Sequence, residues 1–190
     1  KLDEQDQILV RGPSMFAGYL NNEEATASAL VDGWIHTGDV GVVSNDGAWK
    51  ITDRLKDIII TAGGKNITPS QIENELKFSP YISDAVVIGD KRKYLSCLIM
   101  IDQENVENFA QTRNIPFTDY RSLCARPEIV ALIEAEIEAA NKKFSSVEQI
   151  KKFRLINVLL TAEDDEMTPT MKLKRKFVET KYEGLIAEMY

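Results

Sequence analysis

Residues 1 to about 52 carry short runs of β-forming residues that are separated by glycine-containing turns. The turn Asn45-Asp46-Gly47 lies between two such apolar runs, which predicts a β-hairpin because these residue types tolerate positive φ. One helix is predicted over residues 23–30, where Asn22 can serve as the cap and the apolar residues share one side. This part of the chain is therefore expected to form small antiparallel strands.

From Ile58 onward, strands alternate with helices. The predicted elements are a helix at residues 69 to about 78, a hairpin of strands 85–89 and 94–101, a helix from 127 to about 144, a strand at 153–160 and a helix at 174–189. The first of these helices is expected to begin with a capping box at residues 68–71. The predicted fold class is α+β: a small β-rich segment, then a compact α/β domain with a short sheet flanked by helices.

Composition and charge restrict the function classes. The chain has 190 residues, of which 44% are hydrophobic, enough to bury a core. A net charge of −7, from 30 acidic and 23 basic residues, argues against a general nucleic-acid or anionic-membrane surface. No apolar stretch approaches the roughly 20 residues of a membrane span. We therefore expect no nucleic-acid partner and no transmembrane segment. A cytoplasmic location is expected from the two cysteines, whose favoured state as free thiols suits a reducing compartment.

Cysteine and histidine usage bears on redox and metal chemistry. Cys97 and Cys124 lack CxxC spacing, and Cys97 falls in an apolar run, so buried free thiols are favoured over a disulfide or a metal site. His36 is the only histidine, which favours a packing and hydrogen-bonding role over a metal site. No metal-binding residues are predicted. Since the chain begins at Lys1 without an initiator methionine or a signal-peptide pattern, we expect it to be part of a longer protein.

Four segments carry the most specific chemistry. They are residues 33–39, Gly-Trp-Ile-His-Thr-Gly-Asp; 53–57, Asp-Arg-Leu-Lys-Asp; 63–69, Gly-Gly-Lys-Asn-Ile-Thr-Pro; and 168–176, Thr-Pro-Thr-Met-Lys-Leu-Lys-Arg-Lys. In this order they resemble the C-terminal part of the adenylate-forming, acyl-activating ligases. The last segment resembles the long-chain fatty-acyl-CoA synthetase branch, although Thr170-Met171 stands where many family members carry Ser-Gly.

The resemblance implies a nucleotide site. Asp39 lies where the family's aspartate binds the ribose hydroxyls of ATP, and a carboxylate can accept two hydrogen bonds from a vicinal diol. Thr37 belongs to the same motif, and Arg54 matches an arginine that contacts ribose and phosphate. From the residues alone, a turn aspartate after Gly38 is the simpler interpretation of Asp39, and only the neighbouring motifs favour the nucleotide role. For Arg54 the alternative is a surface ion pair with Asp53 or Asp57.

The other implied residues serve the two half-reactions. Lys172 matches the catalytic lysine of adenylation, which bridges the substrate carboxylate and the α-phosphate. Lys56 matches the hinge of the small domain, and Gly63, Gly64 and Lys65 match the loop that lines the pantetheine path of CoA. Each has a simpler alternative. Lys172 could be one lysine of a basic cluster, Lys56 a solvated linker residue, and residues 63–65 a hairpin turn. The acidic residues 164–166 are expected to form a solvated loop that could pair with the basic cluster.

The resemblance thus implies a C-terminal fragment of a long-chain-fatty-acid–CoA ligase. Residues 1–53 would be the β-rich end of the large adenylation domain, 54–57 the hinge and 58–190 the mobile C-terminal domain. The parent enzyme would use fatty acid, ATP, Mg²⁺ and CoA to form acyl-CoA, AMP and pyrophosphate through acyl-AMP. The fragment alone is expected to bind no cofactor stably and to be inactive, because the phosphate loop, adenine pocket and acyl tunnel of the large domain are missing.

Two alternatives stay open at this point. The chain could belong to another acyl- or aryl-CoA ligase or an acyl-AMP ligase, which a panel of carboxylic acids with and without CoA would distinguish. It could also be a non-catalytic module that is derived from the small domain and binds a partner or acyl-CoA. Such a module would not need Lys172 or Asp39. Chain-length preference, oligomeric state and any peripheral membrane contact of the parent are not specified by these residues.

Overall fold

The computed structural model describes residues 1–161, 163–168 and 173–190. The chain divides into two compact units, Lys1–Ile58 and Ile59–Tyr190, and each unit has its own sheet. Both units combine short sheets with helices, which confirms the predicted α+β class.

The first unit is built around one long strand. Its elements are β1 (Gln7–Val10), α1 (Glu23–Ala29), β2 (Leu30–Val31), β3 (Trp34–Val43) and β4 (Trp49–Arg54). Strand β3 pairs antiparallel with β1, β2 and β4, and the turn to β4 contains Gly47 at φ +84°, which confirms the predicted hairpin. Asn22 caps α1 as predicted, because its side-chain oxygen accepts a hydrogen bond from the Ala25 amide at 2.9 Å. A 3-10 helix, Leu55–Asp57, follows β4.

The second unit has a three-stranded sheet between helices. Its elements are β5 (Ile59–Ile60), β6 (Asn66–Ile67), α2 (Pro69–Leu76), β7 (Ile82–Ile88), β8 (Leu95–Ile101), α3 (Gln103–Thr112), α4 (Tyr120–Cys124), α5 (Pro127–Asn141), β9 (Ile150–Leu155), α6 (Arg175–Lys181) and α7 (Glu183–Ala187). The sheet order is β7-β8-β9, with β7 antiparallel and β9 parallel to β8. The pairing of β7 with β8 confirms the predicted hairpin.

Apolar residues cover both faces of this sheet. All seven residues of β8 are buried, and their side chains alternate between two clusters. On one face, Cys97 and Ile99 pack with residues of α2, α3 and α5. On the other, Leu98 and Met100 pack with residues of α6 and α7. The sheet is therefore the middle layer of a three-layer unit.

The structure corrects the predicted capping box. Helix α2 begins at Pro69 as predicted, but the Thr68 side chain makes no capping hydrogen bond. The amide of Gln71 instead donates to the backbone oxygen of Thr68 at 3.3 Å, so a backbone acceptor takes the place of the hydroxyl.

Predictions for the last forty or so residues also need correction. The predicted strand 153–160 is β9, Ile150–Leu155; Ile156 and Leu160 are apolar because they pack in the second cluster beyond the strand. The predicted helix 174–189 consists of two short helices, which are separated at Tyr182. The acidic loop is not wholly solvated, since Glu166 is buried and forms an ion pair with Lys181.

Both thiols are free and buried, as predicted. Burial raises the pKa of Cys124 to about 11 and also raises that of Cys97, so neither thiol is ionised near neutral pH. Within the described ranges, no helix has the length and apolar character needed to cross a membrane. The same residues contain no group of three or more His, Cys, Asp or Glu side chains that could hold a metal ion.

The double-sided burial of β8 makes Leu98 a sensitive position. We expect Leu98→Ala to lower the free energy of unfolding by about 2–5 kcal/mol, because it removes buried methyl groups and leaves a cavity. Urea unfolding followed by far-UV circular dichroism measures this change. Val147→Ala is the control, because Val147 is 49% exposed and should cost less than about 0.5 kcal/mol. Equal losses for the two variants would contradict the three-layer core.

Candidate functional site

The register of the β3–β4 hairpin brings two of the sequence motifs together. Asp39 and Arg54 are direct partners across the two strands, and Arg54 Nε lies 2.8 Å from Asp39 Oδ1. Arg54 therefore forms an ion pair with a residue of the upstream motif. The carboxylate of Asp53 accepts a hydrogen bond from the backbone amide of Arg54 at 2.8 Å. The sequence-based alternative for Arg54 did not include Asp39 as a partner.

Thr37 completes this cluster. Its hydroxyl donates to the backbone oxygen of Ile8 at 2.7 Å and accepts from the Asp39 amide at 3.1 Å. Its backbone oxygen lies 3.4 Å from Arg54 Nη1. Gly38, between Thr37 and Asp39, has φ +73°, a conformation that glycine adopts without steric cost. All three residues predicted for the nucleotide site thus lie within one hydrogen-bonded cluster.

The cluster offers two kinds of polar group to a ligand. The Arg54 side chain is 57% exposed and that of Asp39 is 26% exposed, so both ends of the ion pair face solvent. A carboxylate accepts hydrogen bonds from hydroxyl groups, whereas a guanidinium donates to anionic oxygens. The arrangement therefore suits a ligand that carries hydroxyl groups next to an anionic group.

His36 lies on the same strand and has a structural partner. Its Nδ1 is 2.8 Å from the side-chain amide of Gln7, which is buried. This contact confirms the hydrogen-bonding role predicted for the only histidine.

The residue predicted as the hinge lies in the 3-10 helix that follows β4. Lys56 is exposed at the middle of Leu55–Asp57, and the next residue after this helix, Ile58, returns to an extended conformation at φ −60° and ψ 128°. The first compact unit ends at Ile58. Whether Lys56 acts as a hinge stays a prediction.

The glycine loop is the turn of the β5–β6 hairpin. The Thr61 amide donates to the Lys65 backbone oxygen at 3.1 Å, and Gly64 occupies φ +75°. The hairpin is attached to the β7–β8 turn, because the Lys91 amide donates to the Ile60 backbone oxygen at 2.8 Å. The hairpin-turn alternative therefore describes the geometry of residues 63–65, all of which are exposed, and their role toward CoA stays a prediction.

Lys172 lies outside the described residues, as do residues 169–171, but Thr168 on one side of this segment and Leu173 on the other are described. Met167 and Leu173 form an antiparallel bridge, and the Lys174 amide donates to the Glu166 backbone oxygen at 2.6 Å. The two ends of the segment that carries Lys172 are therefore held side by side.

A profile of the AMP-binding enzyme C-terminal domain matches residues 56–190. The chain belongs to this family. The match includes all of the second unit, so the three-layer unit is the fold of an AMP-binding enzyme C-terminal domain.

Two curated relatives extend the match over the whole chain. The sequence is 42% identical to the long-chain-fatty-acid–CoA ligase FadD15 of Mycobacterium tuberculosis, over all of this chain and 32% of that protein. It is 36% identical to the human long-chain-fatty-acid–CoA ligase ACSBG1, over all of this chain and 30% of that protein. The chain thus spans about a third of the length of these relatives, and the resemblance inferred from the four motifs is confirmed.

Solved structures share the fold. The adenylation domain of a carboxylate reductase from Mycobacterium chelonae matches with a TM-score of 0.79 and 24% identity, over 97% of this chain and 27% of that one. The corresponding domain from Segniliparus rugosus, in complex with AMP and a carboxylic acid, matches with a TM-score of 0.76 and 19% identity, over 97% of this chain and 28% of that one. At these identities the likeness concerns the fold.

Sequence reasoning missed the pairing of Asp39 with Arg54, although the sequence contained a signal for it. Both residues lie a similar number of positions from the Asn-Asp-Gly turn, so counting outward from the turn would have placed them nearly opposite each other. Sequence reasoning also missed the ion pair of Glu73 with Arg175 and the hydrogen bond from the Leu173 amide to Asp84. No comparable local signal exists for these two contacts.

The backbone at Gly38 gives a test of this cluster. We expect Gly38→Ala to destabilise the first unit by about 1–2 kcal/mol, because an L-residue at φ +73° is strained. The new Cβ would meet only Arg54 Nη1, at 3.7 Å, so crowding adds little. Urea unfolding followed by tryptophan fluorescence reports on this unit, because Trp34 and Trp49 both belong to it.

Gly12→Ala is the matched control. No atom lies within 4 Å of the Cβ that alanine would add there, and its φ lies outside the strained positive range. This control should change stability by less than about 0.5 kcal/mol. If both variants lost the same stability, the strain at Gly38 would not be the cause.

Proposed function

We propose that this chain is the C-terminal third of an AMP-forming long-chain-fatty-acid–CoA ligase. The observation that carries the proposal is the match to such ligases along the full length of the chain, at 42% identity to FadD15. The first half-reaction joins fatty acid and ATP to give acyl-AMP and pyrophosphate. In the second, the thiol of CoA attacks acyl-AMP to give acyl-CoA and AMP.

Thr37, Asp39 and Arg54 are proposed to bind the nucleotide. The support is their placement in one cluster, where the Asp39 carboxylate can accept from ribose hydroxyls and the Arg54 guanidinium can donate to a phosphate oxygen. The Thr37 hydroxyl holds the Asp39 amide and so fixes the turn that presents the carboxylate. Mg²⁺ would enter with the phosphates of ATP, since this ion binds readily to phosphate oxygens.

The two half-reactions are proposed to use different parts of the second unit. Lys172 stabilises the charge that develops when the fatty-acid carboxylate attacks the α-phosphate. Gly63, Gly64 and Lys65 line the path of the CoA thiol, where the absence of side chains at the two glycines permits close approach. Residues 58–190 rotate at Lys56 between the two steps, relative to the large domain to which residues 1–53 belong.

The large domain supplies the phosphate loop, adenine pocket and acyl tunnel, so the chain by itself is proposed to be inactive and to hold no cofactor stably. The parent would act in the cytoplasm on fatty acid, ATP and CoA.

A panel of carboxylic acids with and without CoA, given to the full-length enzyme, tests the substrate class. A preference for a short or aromatic acid would contradict the long-chain assignment and indicate another acyl- or aryl-CoA ligase. A reaction that stops at acyl-AMP would indicate an acyl-AMP ligase.

The role of Lys172 can be tested by separating the half-reactions in the full-length enzyme. We expect Lys172→Ala to reduce fatty-acid-dependent ATP–pyrophosphate exchange by about 100-fold or more, because the developing charge loses its cation. Thioester formation from supplied acyl-AMP should be largely spared. Lys176→Ala is the control from the same basic cluster and should leave both steps unchanged. Equal loss of both steps in Lys172→Ala would contradict the proposed role of this lysine. Thioester synthesis by the 190-residue chain alone would contradict the proposal that the chain is inactive without the large domain.

The hinge can be tested by restricting one torsion. Lys56→Pro fixes φ at residue 56 and should therefore prevent the rotation between the two steps. Acyl-AMP formation by the full-length enzyme should persist, while transfer of the acyl group to CoA should fall by about 10-fold or more. Lys56→Ala, which removes the charge but keeps the torsional freedom, should support both steps. Normal CoA transfer in Lys56→Pro would exclude Lys56 as the hinge.

A further inference from the structure

The outer edge of β7 is occupied by side chains. Among the described residues, strand β7 pairs only with β8, and on its other side the backbone of Val87 is held by Glu73 and Arg175. The Val87 amide donates to Glu73 Oε1 at 2.8 Å, and Arg175 Nη1 donates to the Val87 oxygen at 2.6 Å. Arg175 Nη2 lies 2.5 Å from Glu73 Oε1. These three contacts form a closed ring that joins β7, α2 and α6.

Asp84 makes a second connection along the same strand. Its Oδ2 accepts a hydrogen bond from the backbone amide of Leu173 at 3.1 Å. Its Oδ1 accepts from the Ala85 amide at 2.9 Å and lies 3.2 Å from Lys77 Nζ. Asp84 is only 7% exposed. Both carboxylate oxygens are therefore engaged, and an amide side chain at this position could not accept on both sides.

The charged groups of this edge are largely removed from water. The side chains of Arg175 and Glu73 are 19% and 14% exposed. Burial raises the pKa of Glu73, while the guanidinium of Arg175 opposes that shift. Removal of Arg175 would leave the partly buried carboxylate of Glu73 without this counter-ion, which opposes any rearrangement that separates the two side chains.

These contacts surround the residue that follows Lys172. Leu173 is held by Asp84 through its amide, and by Met167 through the antiparallel bridge. Arg175 is held by Glu73 two positions further along. Because consecutive Cα atoms are about 3.8 Å apart, fixing the backbone of Leu173 restricts the position of Lys172.

We infer that Asp84, Glu73 and Arg175 are positioning residues for the adenylation step, which hold the chain next to Lys172 against the edge of β7. The inference rests on the proposed function of Lys172. The hydrogen bonds from Leu173 to Asp84 and from Arg175 to Val87 fix residues 173–175 along the direction of β7. Apolar packing of α6 alone is not directional and would not do so. Positioning of this kind matters because a misplacement of about 1 Å can cost about 100-fold in rate.

The test compares two isosteric changes from a carboxylate to an amide in the full-length enzyme. Asp84→Asn should lower kcat of acyl-AMP formation by about 10- to 100-fold, with KM for ATP and fatty acid unchanged, because binding groups are intact but the lysine is misplaced. Glu73→Gln should act in the same direction. Thioester formation from supplied acyl-AMP should be preserved in both variants.

Glu75→Gln is the matched control. Glu75 lies on the same helix as Glu73, but its carboxylate forms an ion pair with Lys143 at 2.6 Å and not with a residue of the β7 edge. This variant should leave both half-reactions unchanged. If Asp84→Asn lost both half-reactions equally, or if the control lost adenylation to the same extent, the positioning role would be overturned.

A second measurement needs no activity. In the 190-residue chain, Asp84→Asn should accelerate hydrogen exchange of the Leu173 amide, and Glu75→Gln should not. Faster exchange at Leu173 together with unchanged adenylation in Asp84→Asn would overturn the inference and leave the proposed function intact. An inactive wild-type full-length enzyme would instead reject the proposed function, and with it the inference.

Discussion

The second unit depends on the burial of one strand on both faces. Strand β8 is apolar at almost every position, so a helix layer is needed on each side of it. Helices α2, α3 and α5 cover one face, and they precede the segment that carries Lys172. Helices α6 and α7 cover the other face, and they follow it. Met167 also packs on this second face, so the requirement to bury it holds the chain against the sheet both before and after the segment that carries Lys172.

Apolar packing and polar contacts have different effects on the part of the chain that follows Lys172. The side chains of α6 and α7 provide burial, which is not directional. Direction comes from the outer edge of β7, where Asp84 binds the Leu173 amide and the Glu73–Arg175 pair binds Val87. These contacts also satisfy backbone groups of an edge strand that would otherwise be open to pairing with another chain. One set of side chains thus protects the sheet and holds the segment.

The first unit shows the same relation between a sheet and a chemical group. Asp39 and Arg54 belong to separate motifs, and only the pairing of β3 with β4 places them 2.8 Å apart. The positive φ of Gly38 and the Thr37 hydroxyl shape the turn that presents Asp39. In the proposed ligase, each unit therefore contributes to adenylation through residues that a sheet holds in place.

The sequence by itself determined the fold class, the hairpins at Gly47 and between β7 and β8, the start of α2 at Pro69 and the burial of both thiols, because these features follow from local periodicity and turn chemistry. Only the tertiary structure decided which charged groups meet. It buries Glu166 of the acidic loop against Lys181 and places the Asp84 carboxylate on the Leu173 amide. The pair of Arg54 with Asp39 is the exception, because counting outward from the hairpin turn would have placed these two residues nearly opposite each other. No local pattern encodes the other contacts, since they form between polar groups that come together only once the apolar faces have packed.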